Sequence, residues 1–190
     1  MKIQSCIDHN KNEVNSEYRS GCFTKINNLT ASEGFWLWGI HYWMECRAKK
    51  VDPISMFSRA FLEVSITRNP QDDLAPQFDY SLSLLMEFST KPLSIGCRCF
   101  YGLLGSMEQI ILGCMALHQN NHKSKKVANI ILKSFLPELV ANTVYEIFND
   151  LSQASLKNGM ILPMRPYYLD LAQSFHIPTV CSFNDTKMVN

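Results

Sequence analysis

The chain has 190 residues, with 18 Lys+Arg against 17 Asp+Glu for a net charge of +1, and it is 46% apolar but only 18% charged. A chain of this length can bury roughly 70% of its unfolded surface without disulfides or a structural metal, and its apolar content excludes disorder. The even charge balance argues against a protein that works mainly by coating nucleic acid or an anionic membrane.

Residues 1–30 are polar and aperiodic, and read as an irregular arm ahead of one domain spanning 31–190. No apolar run follows the basic start, so no secretory leader is expected. The seven cysteines are odd in number and fit free thiols in a reducing cytoplasm. Cys6, His9 and Cys22 offer three ligands at a spacing that matches no zinc pattern, and neither a metal nor another cofactor is expected.

Thr30 or Ser32 can cap a helix running to about Lys50, with Glu33 near its start and Arg47, Lys49 and Lys50 near its end, the polarity that the helix dipole favours. Five aromatics fall within nine residues of it: Phe35, Trp36, Trp38, Tyr42 and Trp43. At 100° per residue Trp36, Ile40 and Trp43 share one face, while Phe35, Trp38 and Tyr42 share another. Such a helix is either packed on two sides or presents one aromatic face to a partner. The expected partner-binding set is Trp36, Trp38, Tyr42 and Trp43. His41 and Glu45 lie four apart and are expected to pair.

Asp52-Pro53 opens a second helix, with Ile54, Phe57, Phe61 and Val64 at helical steps and an outer Arg59–Glu63 pair. Residues 68–77 read as a loop before a helix from Asp79 to about Ser89, with Tyr80, Leu84 and Phe88 facing inward. After Lys91-Pro92 a long helix is expected from Leu93 to His118. Its stretch 99–117 holds a single charged residue, Glu108, which rules out a membrane span and suits a central helix surrounded by others. A buried carboxylate there needs a partner, such as Arg98 or another arginine. Small and polar residues, Gly102, Gly105, Ser106, Gln109, Gly113 and Ala116, form one stripe that permits close approach of a neighbour.

Residues 119–126 read as a loop holding the one dense basic tract, in which Lys123, Lys125 and Lys126 could meet phosphate or an acidic partner. Helices over 127–135 and 137–155 meet at Pro137, Asn158-Gly159 ends the second, and a last helix is expected over 167–175. The whole is an all-α, single-domain bundle of about six or seven helices. No nucleophile elbow, phosphate loop or metalloprotease motif is present, so no catalytic residue is assigned. The favoured function is a cytoplasmic regulator or adaptor that contacts a protein partner, or a second copy of itself, through an aromatic surface. One alternative is a nucleic-acid regulator using the 122–126 tract or a degenerate helix-turn-helix near the carboxyl end. The other is an enzyme or ligand-binding domain with a pocket between 31–50 and 93–118, using His41, Glu45 or Glu108.

Overall fold

The computed structural model describes residues 28–67, 72–96, 104–120, 122–166 and 168, excluding the side chains of His122 and Lys123. They form six helices: α1 (Ala31–Lys49), α2 (Ile54–Glu63), α3 (Ala75–Phe88), α4 (Ser106–His118), α5 (His122–Phe135) and α6 (Glu138–Lys157). The described residues hold no strand, and the all-α bundle expected from composition is the architecture. The arm up to residue 27, Cys97, Arg98, Cys99, the last expected helix and the helix-turn-helix segment lie outside the described residues.

Thr30 starts α1 with a reciprocal cap: its Oγ1 accepts from the Glu33 amide at 3.2 Å, and Glu33 Oε2 accepts from the Thr30 amide at 2.8 Å. Lys50 closes the helix in the left-handed region at φ 57°. One side of α1 is buried through Trp36, Ile40 and Trp43, and Phe57 and Phe61 of α2 and Phe78 of α3 complete an aromatic core against it. The rings meet edge-on: Trp36–Phe78 at 5.3 Å, Trp36–Phe61 at 5.5 Å and Phe57–Phe78 at 5.1 Å.

The helix expected from Asp79 starts one turn earlier, at Ala75, with Pro76 in its first turn, where a missing amide hydrogen is harmless. Its inward stripe is therefore Phe78, Leu82 and Leu85; of the expected set Leu84 is buried, whereas Tyr80 and Phe88 are exposed. Asp79 is no cap; its Oδ1 accepts the Trp43 indole N–H at 2.7 Å. The outer Arg59–Glu63 pair forms at 3.0 Å.

Helix α4 occupies the centre, packed on α1, α5 and α6, with every residue from Ile110 to His118 buried. Residues 93–96, expected to be its first turn, are not helical, because α4 has its own start at Gly105. The basic tract is the first turn of α5 rather than a loop, and α5 and α6 break at Leu136-Pro137 as expected. After α6, Gly159 turns the chain at φ 76°. Gln119 at the end of α4 then holds the returning segment through Met160 O (3.0 Å) and the Leu162 amide (2.8 Å). Tyr168 ends the return with its ring on the α4 backbone at Gly113, where an added Cβ would lie 2.8 Å from the ring.

Candidate functional site

Among the described residues two glutamates are fully buried, each at the third position of its helix, and each does more than cap. Glu108 Oε2 accepts from the amide of Gly105, the residue that caps α4, and from the amide of Gly96 at 2.8 Å. Its other oxygen meets His41 Nε2 of α1, 67 residues away in sequence. The partner expected for His41, Glu45, pairs with Lys49 instead. The two share one side of the wheel, and the difference is their place along the helix: His41 lies where α4 meets α1, whereas Glu45, one turn further on, is exposed.

The Gly96 bond requires the 94–96 backbone to lie against Gly105. A Cβ on Gly105 would sit 2.4 Å from Ser94 O and 2.6 Å from Gly96 N. Gly105→Ala is accordingly expected to cost about 1–3 kcal/mol, readable as a lowered urea midpoint at unchanged slope. An unchanged midpoint would contradict this packing.

Glu33 is the parallel case at the start of α1. Beyond Thr30 it takes a two-pronged grip from Arg165, Nε to Oε1 at 2.8 Å and Nη2 to Oε2 at 2.6 Å, and Tyr168 Oη reaches Oε1 at 3.3 Å. Burial pushes its carboxyl up, but Arg165 and the Thr30 amide outweigh burial and hold it below the usual range. Each oxygen of both carboxylates has a partner within the protein, so neither presents a vacant oxygen to a substrate.

A third polar group sits under α4, α5 and α6. His118 is buried with its ring edge-on to Tyr145 at 4.5 Å, and neither ring nitrogen has a partner within hydrogen-bonding distance. Burial and then the Lys125 charge push its pKa down to about 4, against the opposing influence of Asn149. Between pH 6.5 and 4 the unfolded chain therefore binds a proton that the folded chain refuses, so stability falls as pH drops through that window. The loss reaches about 3 kcal/mol at the acid end. His118→Phe keeps the contact with Tyr145 and should flatten the pH 4–6.5 slope in chemical denaturation; parallel curves for both proteins would contradict the assignment.

Of the expected nucleic-acid contacts, Lys125 is turned inward with Nζ on Asn149 Oδ1 at 3.0 Å, which removes it from any outward basic patch; Lys126 is exposed. The side chain of Lys123 lies outside the described residues.

The aromatic face of α1 divides as its wheel implies. Trp36 and Trp43 are 0% and 1% exposed and belong to the core, so they drop out of the expected partner-binding set. Trp38 and Tyr42 are half-buried and stack on each other at 5.6 Å and 19°, with Phe57 edge-on to both rings and Phe35 tilted against Trp38 at 5.9 Å. Exposed Glu45 and Lys49 continue this face toward the end of α1.

Among the described residues, no helix is long and apolar enough to cross a membrane, and no three His, Cys, Asp or Glu side chains are placed to hold a metal ion. Of the described cysteines, Cys46 and Cys114 are free and buried, and burial pushes the Cys114 thiol far up. No protein-family model, curated protein or solved structure matches the chain.

Proposed function

We propose that the protein is a helical interaction module, a cytoplasmic regulator or adaptor, whose contact surface is the outer face of α1 formed by Phe35, Trp38 and Tyr42. The observation that carries this reading is the stacked Trp38–Tyr42 pair, ordered and yet half-exposed. Two large rings already fixed by each other and by Phe57 lose little side-chain freedom when a partner covers them. Tryptophan and tyrosine are also the side chains most often found at the energetic centre of protein contacts. Glu45 and Lys49 would supply the polar rim that such a centre needs. The buried free thiols Cys46 and Cys114 fit a reducing compartment.

The test compares the wild-type protein with the Trp38→Ala/Tyr42→Ala variant in affinity purification from native cells, with sedimentation of each pure protein alongside. The variant is expected to keep its helical content while losing the co-purifying protein, or the self-association, seen with wild type. A variant that recovers the same assembly contradicts the proposal. So does one that cannot fold, because the outer rings would then belong to the core.

A further inference from the structure

The return segment after α6 is held by Gln119 at its start, by Leu162 and Tyr168 in the core, and by Arg165 at the corner where α1 begins. Of its described side chains only Leu162 and Tyr168 are buried, while Ile161 is 62% exposed. Arg165 grips Glu33 with two nitrogens and also donates from Nη2 to the Asn28 carbonyl at 2.9 Å. One guanidinium thus ties the stretch leading into α1 to the stretch leaving α6, 137 residues apart.

We propose that Arg165 is a latch: it holds both stretches at one corner of the bundle, and its release opens residues 159–166 and Tyr168 as a unit while the helices stay folded. The device depends on the double use of Glu33. Its bonds to Thr30 are local to α1 and survive departure of the strap, so α1 keeps its cap when the latch opens. Gly159, already in the left-handed region, is the hinge. Opening removes the Tyr168 ring from Gly113 and leaves a ring-sized slot on α4 whose floor is backbone. Held by the fork, the two Gln119 bonds and two buried side chains, and with Ile161 and Pro166 exposed, the segment opens at lower cost than the fully buried central helix. Because Glu33 is held below the ordinary carboxylate range, the latch contributes fully above that range and is lost only as pH falls through the lowered value.

Hydrogen exchange on the full chain tests the latch through three amides: Met160, bonded to Ser155 O at 3.0 Å; Leu162, bonded to Gln119 Oε1; and Tyr168, bonded to Arg165 O at 3.0 Å. Arg165→Met is expected to speed exchange at these amides about tenfold or more, with α4 and α6 unchanged. Arg165→Lys should restore part of the protection. Thr30→Ala removes the hydroxyl bonds to the Glu33 amide and to Glu33 Oε2 but leaves the Arg165 fork in place, and should speed the first turn of α1 more than the strap. Unchanged strap exchange in Arg165→Met would show that the arginine holds nothing. A uniform rise across all helices would show that the strap is inseparable from the core. Either result overturns the proposal.

Discussion

Glu108→Ala is expected to lower the unfolding free energy by about 3–5 kcal/mol, the range seen when one partner of a buried charged contact is deleted. The fully buried carboxylate satisfies two backbone amides, of half-buried Gly96 and Gly105, and meets half-buried His41 of α1. Its removal orphans these donors, and each orphaned donor carries its desolvation penalty. For a domain of this size the loss corresponds to roughly 6–20 °C in melting temperature. Glu108→Gln should lose less: the amide oxygen can still accept from the backbone pair, and the amide nitrogen can donate to His41 Nε2 if the ring proton moves to Nδ1. His41→Ala should cost less than Glu108→Ala, since two backbone donors remain on the carboxylate. A double-mutant cycle over the two residues should return a coupling of about 0.5–3 kcal/mol. A Glu108→Ala melt close to wild type would mean that α4 does not depend on this anchor.

Trp36→Ala and Trp38→Ala, two residues apart on one helix, should behave as different classes of mutation. Trp36 is fully buried among Phe61, Phe78 and Phe35, and its truncation is expected to cost about 3–5 kcal/mol. Its indole N–H is buried without a hydrogen-bond partner, so Trp36→Phe sheds an unpaired donor along with some volume and should cost less than half as much. Trp38 is half-exposed and gives up ring contacts with Tyr42, Phe35 and Phe57, for about 1 kcal/mol. Urea denaturation of the three variants measures this. Equal losses at positions 36 and 38 would mean that both rings are core.

What could be read in the sequence was what is local. The start of α1 at Thr30 or Ser32 and the break before Pro137 rest on local cap and proline chemistry, and the Arg59–Glu63 pair and the two aromatic faces of α1 on spacings within one helix, where a period of 3.6 decides neighbours. The start of α4 carried its own signal, a glutamate three residues after Gly105, but the apolar run on either side reads as one continuous helix and absorbed it. Asp79 looked like a cap because aspartate favours that position, yet its hydrogen bond goes to an indole on α1. The pairs His41–Glu108 and Glu33–Arg165 left no periodic trace, being 67 and 132 residues apart. A buried charge does announce that it needs a partner, but it does not name one. The two aromatic faces were legible from the period; only packing could tell that Trp36 and Trp43 lie inside and Trp38 and Tyr42 outside.

The most direct measurement of the interaction reading places a photo-crosslinking phenylalanine analogue at position 38, and for comparison at Leu139, the most exposed large apolar residue described on the bundle. Both proteins are irradiated in native cells. Crosslinking from position 38 into an adduct of defined mass, absent from position 139, is the predicted result. No adduct at 38, or the same diffuse adducts at both positions, would contradict the assignment of α1 as the contact surface.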